Sequence, residues 1–409
     1  MITASLQQHL IELEEKYNAH NYHPLPVMLS RGEGVMLWDI EGKKYYDFLS
    51  AYSAVNQGHC HPIITQTLIQ QAQKLTLTSR AFHNDALGEY AEYITQLFGY
   101  DKVLPMNTGV EAVETAIKLA RKWGYEKKGI PSMQAKIIVI EHNFHGRTTG
   151  VISFSSDPGS YGNFGPYLPG FIHVPYNDIK ALKNALLDKH VCGFLIEPIQ
   201  GEAGVVVPDD DYLVQAHQLC KTHNVLFIAD EIQTGLGRTG EMLAIDHVGI
   251  QADILILGKA LSGGTLPVSA VLCNDAIMLC IQPGEHGSTY GGNPLACKVA
   301  MKALEVLQTE GMIENAAVMG QIFRSRMQAL VGQGTVKLVR GKGLLNAIVI
   351  EDNLPFTALD ICVAMMHNGL LAKPTHGTKI RFAPPLVINE DQMHECCDII
   401  INTIKGFQN

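Results

Sequence analysis

The sequence has few charged residues and no cluster of basic ones. Asp, Glu, Lys and Arg supply 17% of its 409 residues, whereas soluble domains contain roughly 25%. The formal net charge is −9. Because a nucleic-acid site needs a concentrated positive patch, this composition argues against a nucleic-acid partner. Apolar residues supply 46% of the chain, which suggests that an oligomer covers part of the surface.

Long apolar runs and paired cysteine motifs are also missing. No run approaches the roughly 20 residues that span a bilayer. The first 20 residues contain neither an apolar core nor an arginine, unlike a secretory signal or a transit peptide. The nine cysteines are scattered, without a C-x-x-C motif, which fits reduced thiols better than a disulfide framework. We therefore expect a soluble, cytoplasmic protein.

The middle of the chain alternates between strand and helix patterns. Four short apolar runs are typical of buried parallel strands: AKIIVI (135–140), CGFLIEP (192–198), VLFIADE (225–231) and DILILG (253–258). A helical segment, DDYLVQAHQLCKTHN, separates the second run from the third. This order predicts an α/β fold with a mainly parallel central sheet wrapped by helices.

The flanking regions complete the expected organisation. Before the sheet, the patterns predict helices over 5–17 (with Ser5 as a candidate cap), 62–75 and 84–98, and a hairpin with its turn at 40–43. After about residue 294, they predict two long helices, the strands TVKLVR, LLNAIVI and KIRFAP, and a last helix from Asn389. We expect three parts: a segment (1–45) that packs with the small domain, a large cofactor-binding domain (46–294) and a small α+β domain (295–409).

An acid and a lysine follow two of the predicted strands. Asp230 ends the run that begins at Val225, and Lys259 follows the run that ends at Leu257. Functional groups of open α/β sheets collect at the carboxyl ends of strands. A lysine that forms a Schiff base and an acid that pairs with a pyridinium nitrogen suit pyridoxal phosphate (PLP) chemistry. A solvated lysine and a strand-end cap remain alternatives on these two residues alone.

Two small loops could hold a phosphate. MNTGVEAVETAIKLARKWG (106–124) opens an amphipathic helix, and Thr108, Gly109 and Val110 would present backbone N–H groups at its N-terminus, where anions bind. GSTYGGNP (287–294) adds the hydroxyls of Ser288 and Thr289. An ordinary helix cap and a plain turn are the alternatives.

The segment EHNFHGRTTG (141–150) follows the first strong strand. Phe144 could stack on an aromatic cofactor, His145 could line the site, and Arg147 could clamp a carboxylate. His142 is three residues from His145, but no nearby carboxylate or cysteine completes a metal set, and the adjacent ligands of the GHCHP turn suit tetrahedral coordination poorly. We expect no metal.

The motif GLGRTG (235–240) matches G-x-G-x-x-G, so a dinucleotide site has to be considered. Polar residues 230–234 separate the strand from the first glycine, and the segment after Gly240 leaves room for only a short helix. Both features disagree with the strand–turn–helix context that a dinucleotide fingerprint needs. A chance match is favoured.

Together, these segments resemble the class III (omega) aminotransferases of PLP fold type I. The resemblance extends over nearly the whole chain, and so many ordered blocks make it specific. The blocks are NYHPLP, SAYSAVNQGHCHP, MNTGVEAVETAIK, NFHGRT, EPIQGEAGV, DEIQTGLGRTG, LGKALSGG, STYGGNP and IRFAPPL. The resemblance implies PLP as the cofactor and a homodimer whose active sites are shared between subunits.

The resemblance also assigns roles to single residues. Lys259 forms the Schiff base and moves the proton, Asp230 holds the pyridinium nitrogen, and Gln233 bonds the ring oxygen. Phe144 stacks on the ring beside His145. Gly109 and Val110 hold the phosphate with Thr108 nearby, while Thr289, next to Ser288, reaches it from the partner subunit.

For the substrates, the resemblance implies transfer of the δ-amino group of L-ornithine to 2-oxoglutarate. Tyr22 and Arg147 bind the α-amino and α-carboxylate groups of ornithine, and Tyr52 shapes the pocket. Glu202 masks Arg381 while ornithine is bound and releases it for the carboxylate of the oxo acid. Such a switch changes the charge of a site without changing its shape; a static salt bridge is the alternative.

Three other functions remain open at this point. The first is another omega-aminotransferase, acting on acetylornithine or 4-aminobutyrate, although Tyr22 with Tyr52 favours free ornithine. The second is an NAD-dependent oxidoreductase built on GLGRTG. The third is a non-catalytic binding protein that kept the fold, which the presence of both Lys259 and Asp230 disfavours.

Overall fold

The structure is a computed structural model that describes residues 6–408, so the candidate cap Ser5 lies outside the described residues. A seven-stranded sheet in the order β4-β10-β9-β8-β7-β5-β6 forms its centre. Its strands are β4 (Lys102–Met106), β5 (Lys136–Ile140), β6 (Phe171–Val174), β7 (Val191–Ile196), β8 (Leu226–Asp230), β9 (Ile254–Leu257) and β10 (Ser269–Cys273). β10 runs antiparallel to both neighbours, while β6, β5, β7, β8 and β9 pair in parallel. The predicted mainly parallel sheet is confirmed.

Helices cover this sheet and build the two ends of the chain. They are α1 (Leu6–Tyr17), α2 (Ser50–Ser53), α3 (Pro62–Lys74), α4 (Leu87–Phe98), α5 (Gly109–Glu126), α6 (Thr149–Ile152), α7 (Pro158–Tyr161), α8 (Ile179–Ala185), α9 (Tyr212–Thr222), α10 (Asp275–Met278), α11 (Pro294–Thr309), α12 (Met312–Gln328), α13 (Ala358–His367) and α14 (Glu390–Gly406). Two 3₁₀ turns span Ala244–Val248 and Lys259–Ser262. Within residues 6–408, no helix is both long and apolar enough to cross a membrane.

Helix α5 lies close against the central sheet. A Cβ atom at Gly124 would lie 2.7 Å from the Cβ of Cys192 on β7, so the glycine permits the close approach. The face of α5 that meets the sheet is apolar and buried, as at Ala116 and Leu119. This packing fixes the N-terminus of α5 at one edge of the sheet.

Two smaller sheets join distant parts of the chain. One has the order β1-β2-β3-β13 and consists of β1 (Leu29–Glu33), β2 (Met36–Asp39), β3 (Lys44–Asp47) and β13 (Leu370–Leu371). The other has the order β11-β12-β15-β14 and consists of β11 (Val336–Lys342), β12 (Leu345–Ile350), β14 (Lys373–Thr375) and β15 (Lys379–Phe382). Because β13 pairs with β3 in parallel, the N-terminal hairpin contacts the C-terminal part of the chain.

The predicted elements of the two flanks are confirmed with small shifts of their ends. The hairpin turn has Gly42 at φ +86°, a conformation that glycine adopts readily. The helix predicted over 84–98 begins at Leu87, because the Asn84 side chain accepts hydrogen bonds from the N–H groups of Ala86 and Leu87, both at 3.0 Å. The sequence patterns did not single out β4, β6 or β10.

Candidate active site

The carboxyl ends of β8 and β9 bring Asp230 and Lys259 to one cavity. The two strands are neighbours, with Asp230 opposite Ile256, and both are buried throughout. Lys259 begins the 3₁₀ turn after β9 with φ +45°, a conformation that non-glycine residues adopt rarely. Both side chains line a cavity of about 190 Å³. The structure therefore brings together the pair that the sequence singled out.

A histidine orders the carboxylate of Asp230. His145 Nδ1 lies 2.6 Å from Asp230 Oδ2, and the N–H of Ile232 donates to Oδ1 at 3.1 Å. Burial lowers the pKa of His145, but the hydrogen bond and the charge of Asp230 outweigh burial and raise that pKa. Asp230 is thus fixed at the cavity wall, where its carboxylate can accept a hydrogen bond from a protonated ring nitrogen.

The amine of Lys259 has the properties of a nucleophile. Removal from water lowers its pKa, although the charges of Glu202 and Asp230 oppose this effect. Desolvation disfavours the charged form of a lysine. Since the neutral amine is the form that attacks a carbonyl carbon, this environment suits Schiff-base chemistry.

The N-terminus of α5 offers free backbone N–H groups to the same cavity. Thr108 caps the helix: its Oγ1 accepts from the N–H of Glu111 at 3.4 Å, and the Glu111 carboxylate accepts from the N–H of Thr108 at 2.7 Å. Gly109 and Val110 line the cavity, and the first N–H groups of a helix have no partner within it. They can bind a phosphate.

Phe144 closes one side of the cavity and is held by an acid that the sequence reasoning missed. The N–H of Phe144 donates to Glu197 Oε1 at 2.9 Å. Glu197 follows β7 directly, and burial raises the pKa of its carboxyl group to about 7. The rule that drew attention to Asp230, a polar residue at the carboxyl end of a strand, would also have found Glu197 in CGFLIEP.

Gln233 lines the cavity beside Lys259 and also contacts Tyr52 and Glu202, which line a second, adjoining cavity. Its Nε2 is 3.4 Å from both the carbonyl oxygen of Tyr52 and Glu202 Oε1, while its buried Oε1 has no partner among the described residues. The backbone at Gly201 approaches so closely that a Cβ atom there would lie 1.4 Å from Gln233 Oε1.

A second cavity of about 840 Å³ adjoins the first at Phe144 and contains four of the predicted substrate residues, Tyr52, Arg147, Glu202 and Arg381. Arg381 Nη1 donates to Glu202 Oε1 at 2.5 Å, and its guanidinium carbon lies 5.2 Å from the centre of the Tyr52 ring. Burial raises the pKa of Glu202, but the Arg381 charge outweighs burial and lowers that pKa. The ion pair therefore stays charged at neutral pH.

Tyr52 reaches this cavity from an unusual turn. The four residues of α2 all have positive φ, from +47° to +70°, so the turn is left-handed. Consecutive non-glycine residues in this region are strained and persist only where the surroundings hold them. Here the turn fixes the Tyr52 ring against Arg381.

Four predicted residues do not line these cavities in a single chain: Thr108, which caps α5 next to Gly109, and Tyr22, Ser288 and Thr289. Tyr22 is 68% exposed and faces the ammonium group of Lys373 at 5.6 Å, although its hydroxyl is near enough to raise the pKa of Tyr52. Ser288 Oγ accepts from Asn107 Nδ2 at 2.8 Å, and Thr289 is exposed.

The GLGRTG loop does not have the geometry of a dinucleotide site. It leads into the 3₁₀ turn Ala244–Val248 and not into a helix that could hold a pyrophosphate. Its arginine, Arg238, is fully buried and donates to the carbonyl oxygens of Leu344 and Pro384 at 3.0 and 2.6 Å. The loop therefore joins the central sheet to the C-terminal part of the chain, and the dinucleotide alternative is not supported.

The first cavity fits PLP. Asp230 suits the pyridinium nitrogen, the N-terminus of α5 suits the phosphate, and Lys259 suits the aldehyde. Two buried polar atoms at the cavity, Gln233 Oε1 and His145 Nε2, have no partner among residues 6–408, as expected for a polar site built around a bound group. Fold and site together define a PLP-dependent aminotransferase.

A comparison with known protein families identifies the family of this chain. The chain belongs to the family described as "Aminotransferase class-III", whose profile matches residues 17–404. It is 65% identical over 391 residues to "Ornithine aminotransferase, mitochondrial" of Drosophila melanogaster, with 96% of this chain and 90% of that protein covered.

Solved structures agree with this assignment. The ornithine aminotransferase from Toxoplasma gondii superposes with a TM-score of 0.97 at 46% identity, covering 98% of this chain and 95% of that one. A structure described as acetylornithine aminotransferase from Elizabethkingia anophelis superposes with a TM-score of 0.90 at 57% identity, covering 98% of this chain and 100% of that one. The resemblance inferred from the sequence is confirmed.

Proposed function

We propose that this enzyme transfers the δ-amino group of L-ornithine to 2-oxoglutarate. The products are glutamate and glutamate 5-semialdehyde, which cyclises to pyrroline-5-carboxylate. The observation that carries this proposal is the Glu202–Arg381 ion pair at 2.5 Å, which shares a cavity with Arg147. The names of the relatives from Drosophila melanogaster and Toxoplasma gondii support the choice of ornithine.

The ion pair allows one site to accept two differently charged substrates. While ornithine is bound, Arg147 holds its α-carboxylate and Glu202 keeps Arg381 masked, so the distal amine reaches Lys259. When 2-oxoglutarate binds, Glu202 releases Arg381, which then binds the α-carboxylate beside the reacting carbon through two N–H groups. Tyr52 supports Arg381 in both states, and Tyr22 contributes from the rim.

The proposed catalytic roles follow from the first cavity. PLP supplies a ring that withdraws electrons from the carbon bearing the transferred nitrogen. Lys259 Nζ accepts the proton from carbon 5 of ornithine, a task that its lowered pKa favours. Asp230, ordered by His145, holds the positive ring nitrogen, and Gln233 binds the ring oxygen. Thr108, Gly109 and Val110 hold the phosphate.

An absorbance spectrum of the purified holoenzyme, taken before and after L-ornithine is added without an oxo acid, tests this proposal. We expect the yellow cofactor band to bleach and an o-aminobenzaldehyde trap to report pyrroline-5-carboxylate. A band that ornithine leaves unchanged would remove the substrate assignment and keep the class. Absence of the band would contradict the proposed cofactor contacts.

A second candidate substrate is N-acetylornithine, which the name of the Elizabethkingia anophelis structure favours. Rates measured side by side with ornithine, N-acetylornithine and 4-aminobutyrate decide between them. We expect the highest kcat/KM with free ornithine.

A homodimer with shared active sites is part of the proposal. Ser288 and Thr289 lie off the cavity of their own chain, on a loop that Asn107 holds beside the cap of α5. Because this loop lies at the edge of its own site, it can place Thr289 against the phosphate in the active site of a second subunit.

We also propose the three-part organisation expected from the sequence. The separate four-stranded sheet of β11, β12, β15 and β14 supports a small domain over 295–409, next to the large domain over 46–294. Pairing of β13 with β3 supports an N-terminal segment, 1–45, that packs with this small domain.

For the compartment, we propose a reducing one, because all nine cysteines are free thiols. We propose the cytoplasm, as expected from the sequence; free thiols alone do not separate it from the mitochondrial matrix, and the Drosophila melanogaster relative is named mitochondrial. Cell fractionation with an antibody against this chain separates the two.

A further inference from the structure

Asp157 and Arg147 line the substrate cavity together and are joined by a single hydroxyl group. Arg147 Nη1 donates to Ser160 Oγ at 2.7 Å, and Ser160 Oγ donates to Asp157 Oδ2 at 2.8 Å. Ser160 is buried. Because its one hydrogen goes to Asp157, the hydroxyl must accept from Arg147, so the order of the three groups is fixed.

Both charged groups keep free hydrogen-bonding capacity. Ser160 occupies one nitrogen of the Arg147 guanidinium, whose carbon stacks 5.3 Å from the centre of the Phe144 ring; the remaining N–H groups can bind a carboxylate. Asp157 Oδ1 accepts from the N–H of Gly159 at 3.0 Å. A carboxylate has about four acceptor positions, so two of those on Asp157 remain.

The other carboxylates of the cavity are placed differently. Glu202 is paired with Arg381, and among the described residues Arg147 makes its side-chain hydrogen bond to Ser160 and not to Glu141. Burial raises the pKa of Asp157, but Ser160, Gly159 and the charges of His376 and Arg147 outweigh burial and lower that pKa. Asp157 is therefore a carboxylate at neutral pH, held beside the arginine that binds substrate carboxylates.

An α-amino acid carries an ammonium and a carboxylate on the same carbon, and this pair matches the two adjacent opposite charges. We propose that Asp157 binds the α-ammonium group of ornithine together with the Tyr22 hydroxyl while Arg147 binds its α-carboxylate, and that Asp157 thereby selects free ornithine over N-acylated ornithine. The inference rests on the proposed function. Acylation removes the positive charge of the α-amino group, so the Asp157 carboxylate would face a neutral amide. A charged group left without its partner is one way in which a site rejects a close analogue.

The test compares Asp157→Asn with the wild-type holoenzyme on three amino donors: L-ornithine, 5-aminopentanoate and N-acetylornithine. 5-Aminopentanoate has the chain and carboxylate of ornithine without the α-amino group. Loss of a charge-assisted hydrogen bond should lower kcat/KM for ornithine about tenfold to a hundredfold, mainly through KM. The value for 5-aminopentanoate should change less than about twofold, and discrimination against N-acetylornithine should fall.

Ser160→Ala is the matched control. It frees Arg147 without removing the Asp157 charge, so KM should rise for all three donors. Asn is a good N-cap, which preserves the cap that Asp157 provides to α7; Asp157→Ser, another good cap, repeats the test if the first variant folds poorly.

An equal loss for ornithine and 5-aminopentanoate in Asp157→Asn would overturn the inference, because Asp157 would then act only by holding Arg147. A wild-type enzyme that uses N-acetylornithine and not ornithine would instead remove the proposed function. The two failures are therefore distinguishable.

Discussion

At the scale of single residues, the Glu202–Arg381 pair is incompletely satisfied. Arg381 Nη1 donates a hydrogen bond to Glu202, while the buried Nε of Arg381 has no hydrogen-bond partner among the described residues. A buried ion pair is costly unless its remaining hydrogen bonds are made. This unmet hydrogen-bonding capacity supports the proposal that Arg381 exchanges one carboxylate for another.

Glu202→Ala should change which amino donor the enzyme prefers. An unmasked Arg381 favours donors with a carboxylate beside the reacting amine, so the ratio of kcat/KM for L-glutamate to that for L-ornithine should rise at least about tenfold. Half-reaction rates with each donor measure this ratio. Glu141→Ala, on the wall of the same cavity, is the control; an unchanged ratio in Glu202→Ala would argue for a static salt bridge.

Glu231 should make the stability of the protein depend on pH. Burial raises the pKa of its carboxyl group to about 7 from 4.5, although Thr234 and the N–H of Ile245 donate to it. Between pH 4.5 and 7 the unfolded chain releases this proton while the folded chain keeps it. Folding is therefore penalised increasingly as the pH rises through this range.

Glu231→Gln removes this titration. Relative to wild type, its free energy of unfolding should improve from pH 5 to pH 7, by at most about 3 kcal/mol. Urea denaturation at several pH values measures the difference, and Glu241→Gln, at an exposed position, is the control. A difference that stays constant with pH would show that Glu231 does not titrate in this range.

At the scale of elements, the GLGRTG loop connects the central sheet to the C-terminal strands. Arg238→Ala would leave the carbonyl oxygens of Leu344 and Pro384 and the amide oxygen of Asn56 without their donor. Unpaired buried polar groups of this kind lower the free energy of unfolding by about 3 kcal/mol or more. Denaturant unfolding measures the change; Arg31→Ala, at an exposed side chain, should cost less than about 0.5 kcal/mol. Similar losses in both variants would contradict a linking role for Arg238.

The elements also show what a sequence can predict and where prediction stops. Strands β5, β7, β8 and β9 were predictable because buried parallel strands are continuous apolar runs with polar residues at their ends. That same pattern located Asp230 and Lys259. Strand β4 was missed because Pro105 interrupts its apolar run. Strand β10 was missed because no helix pattern next to it marked it as part of the alternating strand–helix region.

Asp157 and Ser160 had no such signal. Asp157 caps the four-residue helix α7 and Ser160 lies within that helix, and the hydrogen bond from Arg147 to Ser160 joins residues that no local pattern connects. The left-handed turn at Tyr52 was equally hidden, since SAYS contains no glycine to indicate positive φ. Local patterns predict elements; the contacts between loops need the folded chain.

At the scale of the whole molecule, the proposed sharing of sites predicts complementation between two defective subunits. Lys259→Ala lacks the amine, and Thr289→Asp places a negative charge against the phosphate of the partner's site. In a mixed dimer, one site combines an intact Lys259 with an intact Thr289. Co-expression under two affinity tags, followed by a rate measurement on the doubly purified dimer, should recover about half the wild-type activity.

Each variant purified alone provides the control and should show little activity. If the mixed dimer stays as inactive as its parents, Thr289 does not act across subunits. Sedimentation of the wild-type enzyme at several concentrations establishes independently whether a dimer forms.

The contact between Gly201 and Gln233 limits how this active site can evolve. Alanine at position 201 differs from glycine by one methyl group, yet that carbon would overlap Gln233 Oε1 at 1.4 Å. Because Oε1 is the far end of a flexible side chain, Gln233 can turn away from the new methyl group, but its amide then leaves the position from which we propose that it binds the cofactor. The first step away from glycine at position 201 therefore carries a functional cost set by this proposed cofactor contact, and selection acts on the two positions together.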